Sequence, residues 1–421
     1  MARYNCSLPL DGVIKCNECN QSISPLGNFS VQLEDMCLSQ EEYLAKYLGP
    51  RRSPVFLPVC ITFLFIFLVG AVGNALTCIV ISRNRVMRTP TNYYLFSLAV
   101  SDLLVLILGM PLELYEMWSN YPFLLGEGGC YFKIFLFETV CFASILNVTA
   151  LSAERYIAVV HPLKAKYVVT RTHAKRVILM IWAVSMVCAI PNTSLHGVRS
   201  LPPRFGRTFP ESAICTLVKP RWIYNLLIQV TTLLFFLLPM LTISVLYLLI
   251  GLQLKREKML QALEAKSGLS RSSGISVHSQ QQKVRRRQVT KMLCVLVVVF
   301  GICWAPFHTD RLVWSFIDDW TGDFPRIFEY IHIISGVFFY LSSAVNPILY
   351  NLMSTRFREM FREVTCQRPR RKRSLSRTRV TRLTLRSTIC DVPASNGTPV
   401  LEEENHNKYM VCRQECETAV P

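Results

Sequence analysis

Residues Cys130–Val160 read CYFKIFLFETVCFASILNVTALSAERYIAVV, and the reading of this run decides the fold. Apolar side chains occupy every side of it, and its only charged residues are Lys133, Glu138, Glu154 and Arg155. A helix that is apolar all round is buried all round, and about 20 such residues suffice to cross a bilayer. Six further stretches have the same character: Phe56–Ile81, Tyr93–Tyr115, Val177–Leu195, Ile223–Leu254, Met292–Phe316 and Ile327–Met353. Hydrophobic residues make up 51% of the 421 residues and charged residues 18%, with a mean hydropathy of +0.31. That is too apolar for a water-facing surface.

The expected class is therefore an all-α membrane protein, a seven-transmembrane helix bundle over 55–353. An extracellular glycosylated tail, 1–54, precedes it. A mobile intracellular loop is expected over 255–288, a short amphipathic membrane-surface helix over 354–366, and a disordered cytoplasmic tail over 367–421. Residues 1–55 lack an apolar core, so the first span is expected to serve as its own insertion signal. Asn5, Asn20 and Asn28 each precede Ser by two positions; such sequons are glycosylated only where the segment reaches the lumen. With seven spans the carboxyl terminus then lies inside, a multi-pass arrangement in the plasma membrane.

Loop charge tests this orientation, because Lys and Arg accumulate on the cytoplasmic side. Arg83, Arg85 and Arg88 fall in the first inner loop, Lys164, Lys166, Arg171, Lys175 and Arg176 in the second, and Arg285-Arg286-Arg287 in the third. The first outer loop has neither Lys nor Arg, although the second outer loop carries five. The net charge of +18 thus sits beside anionic lipid and acidic partners, which argues against nucleic-acid binding.

Of the 16 cysteines, Cys60, Cys78, Cys141, Cys188, Cys294 and Cys303 lie in spans as small apolar residues. Cys130 and Cys215 both fall on the oxidising side, where a disulfide would tie the loop after span four to the top of span three. Cys6, Cys16, Cys19 and Cys37 leave their pairing open. Phe357 and Phe361, ringed by arginines, mark the surface helix, and Cys366 directly after it is an expected palmitoylation site.

Polar residues inside hydrocarbon are functional candidates. Asp102 lies deep in span two, and with Asn74, Ser144 and Asn346 it offers oxygen ligands for a sodium ion. No other cofactor is expected. Glu154-Arg155-Tyr156 ends span three about 37 Å below Cys130 at 1.5 Å per residue. Phe300, Trp304 and Pro306 share span six, and Asn346-Pro347 and Tyr350 close span seven; each proline removes a backbone hydrogen bond and bends its helix.

Together these motifs resemble the rhodopsin-like G-protein-coupled receptors over roughly 57–361. The resemblance implies that a ligand enters from outside, span six swings outward, and a heterotrimeric G protein docks inside, with Arg155, Tyr247 and Tyr350 serving the switch. Many such receptors place an acid at the inner end of span six; Arg285-Arg286-Arg287 stand there instead, leaving Glu154 as the local partner of Arg155. Finer strings, among them Pro111-Leu112-Glu113-Leu114-Tyr115-Glu116-Met117-Trp118 and Pro191-Asn192-Thr193-Ser194-Leu195-His196-Gly197, are similar to the neuromedin U receptor family. That likeness implies neuropeptide ligands, neuromedin U and neuromedin S, ending in an amidated Arg-Pro-Arg-Asn, and coupling to the Gq family, phospholipase C and calcium.

Local chemistry agrees on the sign of the ligand. Glu113 and Glu116 share a helix face, and Glu138 lies about 12 Å inside Cys130; carboxylates pair with guanidinium in two-pronged bonds. Phe137, Tyr115, Trp118, Trp314 and Tyr340 are the candidate aromatic walls, and Arg311 is the one internal counter-ion in view for an acid. No triad, phosphate loop or metal-spaced histidine set suggests an enzyme. Repeated halves typical of transporters are absent, and a channel is likewise disfavoured. Phe137 stands where amine receptors carry an aspartate, and 327–353 lacks the lysine of opsins. A receptor for a peptide of the ghrelin, motilin or neurotensin group is the alternative.

Ser374, Ser376 and Thr378 follow Arg370-Arg371-Lys372-Arg373 and are the expected targets of receptor kinases, with arrestin as the reader. Each phosphate brings about −1.5 to −2 charges. Truncation after Cys366 is expected to spare G-protein signalling and to slow arrestin recruitment and internalisation; unchanged internalisation contradicts this role.

Overall fold

Long helices arise here because a bilayer offers no partner for backbone N–H and C=O groups, so each segment satisfies its own. In a computed structural model of the chain, residues 6–7, 15–16, 38–203, 208–266, 276–317, 324–353 and 355–365 are described. Among them, the long helices are Phe56–Arg83 (span one), Pro90–Trp118 (span two), Gly126–Val160 (span three), Arg171–Leu195 (span four), 221–266 (span five), Ser276–Phe316 (span six) and Phe324–Met353 (span seven). All but span six meet the length and apolarity of a membrane crossing over described residues alone. Span six completes the bundle, packing along span seven.

Local signals set the starts. The Thr89 hydroxyl accepts from the Asn92 N–H and Pro90 takes the first helical position of span two, where its missing N–H costs nothing. Thr170 caps span four in the same way through His173. One-turn π segments interrupt span two at Val105–Gly109 and span five at Leu233–Leu237. Prolines 191, 306 and 347 lie within spans four, six and seven.

The expected loop at 255–288 is helical at both ends. Span five continues to Lys266, and span six begins at Ser276. Lys, Glu, Gln, Leu, Ala and Arg dominate these extensions, and all have high helix propensity. Apolarity was the wrong gauge of where these helices stop. The surface helix is found at Thr355–Thr365, with Phe357 buried. Asn5, Asn20, Asn28, Cys366, Ser374, Ser376 and Thr378 lie outside the described residues, as does all of 366–421.

Span three is the axis of the bundle: 61% of its most apolar window is buried in protein, against 22%, 22% and 17% for spans one, four and five. Those outer spans turn Phe65, Leu179, Leu241 and Leu248 outward, a surface that suits lipid rather than water. Polar groups stitch the helices together. Asn74 donates to the Ser343 carbonyl (2.8 Å), Asn346 to Asp102 (2.9 Å), Trp182 to Ser97 (3.0 Å) and Ser144 to Ser101 (3.2 Å). After span four, His196–Arg199 pairs antiparallel with Ile214–Leu217, placing Val198 opposite Cys215. The expected Cys130–Cys215 disulfide is present and anchors this hairpin to span three. Cys6 and Cys16 face each other in a two-residue strand pair.

Span one fits against spans two and seven only because it lacks side chains at two places. A Cβ on Gly70 would lie 2.7 Å from Leu106 Cδ1 and 3.3 Å from the Ala344 backbone, and one on Gly73 would lie 2.8 Å from Pro347 Cβ. Small residues let membrane helices approach closely. Gly251 on span five has nothing within 4 Å of such a position. Gly73→Ala is therefore expected to destabilise the protein by about 1–3 kcal/mol, the usual range for overpacking. Gly251→Ala should be neutral or slightly stabilising by propensity. Melting midpoints of the two variants in detergent decide it; equal shifts overturn the packing argument.

Candidate ligand-binding site

At the disulfide end the bundle opens into a cavity of about 210 Å³, continuous with an outer vestibule of about 450 Å³. The two share Glu116, Ile134, His196, Tyr224, Asp310, Arg311 and His332. Glu113, Phe137, Glu138, Asn192, Phe307, Phe339 and Tyr340 line the deeper part. Asn120, Phe123, Cys215, Leu217 and Trp314 line the vestibule. Together they have the size of a ligand site, with apolar walls and a few converging polar groups.

Helix geometry aims these groups. Glu113 and Glu116 are three residues apart on span two and so share a face. Tyr115 and Trp118 lie roughly on the opposite side of the helix, at 100° per residue. That corrects the aromatic-wall expectation for both. The Tyr115 hydroxyl donates to the Pro122 carbonyl (3.2 Å) and accepts from the Leu124 N–H (3.3 Å). Trp118 is 50% exposed and lies under the Arg52 guanidinium, 3.6 Å from the ring centroid. Phe137, Trp314 and Tyr340 do line the site.

The acids come with partners. Arg311 lies 2.5 Å from Glu138 Oε1, and Asn192 donates to the same oxygen at 2.8 Å. Lys133 pairs with Glu116. His332 lies between two carboxylates, its Nε2 3.3 Å from Glu113 Oε1 and its Nδ1 3.0 Å from Asp310 Oδ2. Arg311 is thus a resident counter-ion, and Glu138 is not a free acid. Two carboxylate oxygens nevertheless remain buried without a hydrogen-bond partner: Glu138 Oε2 and Asp310 Oδ1. The cavity therefore holds four carboxylates against Lys133, Arg311 and His332, an excess of acid over base.

Lys133, Asn192, Asp310 and His332 were missed as site residues in the sequence. Lys133 and Glu138 stand five apart on one apolar span, and Asp310-Arg311 form an acid–base couple near the end of another. Charge that close to the rim of a span was the available signal.

Beneath the cavity, aromatic rings run toward the middle of the bundle. Phe307 stacks on Phe339 (5.0 Å), Phe339 meets Trp304 edge-on (5.4 Å), and Trp304 stacks on Phe300 (4.8 Å). Pro306 lies between Trp304 and Phe307 in sequence, so the bend in span six falls within this stack. The polar cluster lies deeper. Asn346 binds Asp102, Ser144 reaches Ser101 rather than Asp102, and the Asn74 side-chain oxygen is buried without a partner. That orphaned oxygen, with the Asp102 carboxylate and the Ser144 hydroxyl, fits the donor set of a hard cation.

At the far end Glu154 is buried with neither carboxylate oxygen hydrogen-bonded, and Arg155 donates to the Thr91 hydroxyl on span two. Tyr156 meets His161 edge-on (5.6 Å), Tyr247 packs against the core, and Tyr350 contacts Phe357 of the surface helix (5.8 Å). Pro347 precedes Tyr350 within span seven and abuts Gly73. The side chains of Arg285, Arg286 and Arg287 lie outside the described residues.

Comparison with known proteins adds a second line. The profile described as 7 transmembrane receptor (rhodopsin family) matches residues 73–350. The chain is 57% identical over 403 residues to Neuromedin-U receptor 1 of Homo sapiens, covering 92% of this chain and 93% of that protein. It is 57% identical over 332 residues to Neuromedin-U receptor 2 of Rattus norvegicus, covering 78% and 81%. Growth hormone secretagogue receptor type 1 of Sus scrofa is 40% identical over 307 residues, covering 73% and 80%.

The Glu138–Arg311 pair yields a direct expectation. Removing one partner of a buried pair leaves the other charge uncompensated, at up to about 3–5 kcal/mol, whereas removing both is often tolerated. Glu138→Gln and Arg311→Met should each lower the melting midpoint of the purified receptor, and the double variant should recover most of the loss. Losses that simply add contradict the pairing.

Proposed function

Because the chain belongs to the rhodopsin family of seven-transmembrane receptors, we propose that it is a receptor for the amidated neuropeptides neuromedin U and neuromedin S. It acts through a Gq-family G protein, phospholipase C and calcium release. It is a multi-pass plasma-membrane receptor rather than an enzyme, and in this reading the disulfide end faces outside.

The pair of buried, unpartnered acceptors, Glu138 Oε2 and Asp310 Oδ1, carries the ligand assignment. An unpaired buried acceptor costs about 1–3 kcal/mol, and a ligand guanidinium reaching either oxygen offsets that cost. The amidated end of the peptide enters the deep cavity, and an arginine near it takes the open Glu138 oxygen while Arg311 holds the other. Its apolar neighbours rest on Phe307 and Phe339, whose contacts with Trp304 pass the displacement to the bend at Pro306. Span six then swings, opening the Arg155 end to the G protein. Sodium bound by Asp102, Asn74 and Ser144 would supply positive charge that favours the resting arrangement, by its preference for that state alone.

Cells expressing the receptor are expected to release calcium on addition of either neuromedin and to ignore ghrelin; the reverse pattern would move the assignment to the alternative peptide group. Glu138→Gln should cost at least about tenfold in potency, since losing a desolvated charge pair typically costs about 2–5 kcal/mol, or about 30- to 4000-fold. A peptide with its last arginine replaced by citrulline should lose potency on the parent and little more on that variant. Additive losses separate Glu138 from that arginine. Replacing sodium with a large organic cation should raise agonist affinity on the parent and leave Asp102→Asn unmoved; equal sensitivity leaves the cluster structural.

A further inference from the structure

Outside the bundle a second apolar core has formed that the sequence reading passed over. Residues Gln40–Leu48 make a short helix closed by a capping box: the Glu42 N–H donates to the Ser39 hydroxyl, and the Ser39 N–H returns a bond to Glu42. That backbone N–H holds the Glu42 carboxyl below its ordinary value. Gly49, at φ +81°, ends the helix in a conformation that L side chains rarely adopt, and Pro50 follows. Tyr43 and Leu44 are both 4% exposed, packed with Tyr121 and Phe209. The Tyr43 ring stacks on Phe209 at 4.8 Å and 18°. A nine-residue helix is marginal alone; this one is held by side chains from both loops at the disulfide end.

Its attachments run to the vestibule wall. Asn120, which lines the vestibule, donates from its side chain to the Leu48 carbonyl (2.9 Å) and from its backbone to Arg51 (2.9 Å). The Tyr121 hydroxyl donates to the Gly49 carbonyl (3.3 Å). Ile214 packs on the helix cluster and lines the vestibule as well. Phe123, another wall residue, donates its N–H to the Ala213 carbonyl (2.7 Å). The strap ends on the spans: the Ser53 N–H donates to Met117 (3.0 Å), and its hydroxyl to Glu329 on span seven (2.8 Å).

We propose that the tail segment 38–53 is a peptide-selectivity element, its helix fixing the outer wall of the vestibule for ligands long enough to emerge from the deep cavity. The inference rests on the peptide-receptor reading above. Nothing in the segment lines the deep cavity, so a ligand confined there does not feel it. A longer ligand leaves past Asn120, Phe123 and Ile214, and binds a wall already ordered. Pre-ordering raises affinity by removing the entropy of arranging those side chains on binding. Tyr43, Leu44, Tyr121 and Phe209 are thus positioning residues, acting through the wall rather than on the peptide.

Full-length neuromedin U and a truncated amidated peptide with only its carboxyl-terminal residues are the probes, compared by displacement binding on intact cells. Tyr43→Ser, which removes the stack on Phe209, should weaken the full-length peptide by about tenfold, the scale of ordering one or two side chains. The truncated peptide should change by less than about twofold. Tyr43→Phe keeps the ring and should restore parent affinity. Tyr121→Phe deletes only the hydroxyl bonded to Gly49, and should shift the same peptide in the same direction by a smaller factor. Equal loss for both peptides in Tyr43→Ser marks general damage and overturns the inference, as does no loss for either. A parent receptor that binds neither peptide overturns the peptide reading and this inference with it.

Discussion

Within a bilayer no water is available to a backbone amide, and that constraint organises the rest of this molecule. It forces the long segments into helices, leaves side chains alone to connect them, and makes several buried polar side chains links to a neighbour. Asn74, Asp102, Ser144 and Trp182 all find partners on another helix. These bonds and the bare approach at Gly70 and Gly73 determine which spans touch. Hydrophobic burial does not, because lipid is as apolar as the interior.

The same absence of water explains the character of the ligand cavity. A lone acid there would be expensive, so acids are accompanied: Glu138 by Arg311, Glu116 by Lys133, and Glu113 and Asp310 by His332. Pairing is incomplete by two oxygens, which leaves a demand for hydrogen-bond donors that a cationic ligand can meet. The acids also select against the wrong ligand, since an anion meets four carboxylates. Site and switch are joined by packing rather than by charge, through Phe307, Phe339, Trp304 and Phe300.

The two ends of the molecule solve different problems. Toward the surface helix, Tyr350 rests on Phe357 and Arg155 reaches Thr91, contacts that a helix displacement can exchange. Toward the disulfide, the hairpin 196–217 is pinned to span three, and the tail helix is seated on both loops. Rigid walls at the mouth suit recognition, and exchangeable contacts at the base suit signalling.

Much of this was written in local sequence. Apolar runs marked the spans, because length and hydropathy alone decide whether a helix can cross. Prolines 306 and 347, Asp102 and Glu154-Arg155 marked themselves by being costly where they stand. Cys130 and Cys215 could be matched by compartment, and Glu113, Glu116 and Glu138 marked the acidic lining of the cavity. Other features depended on the third dimension. Which base answers which acid is a matter of distance between helices far apart in sequence, so Lys133 and His332 went unnoticed and Arg311 could not be assigned to a particular acid. Tyr115 and Trp118 were assigned to the site by proximity in sequence, while the helical turn carries them to the other face. The tail helix Gln40–Leu48 has too few residues and too little apolarity to declare itself. It exists because Tyr121 and Phe209, about 80 and 170 residues further on, come together to cover Tyr43 and Leu44, and only folding creates that surface.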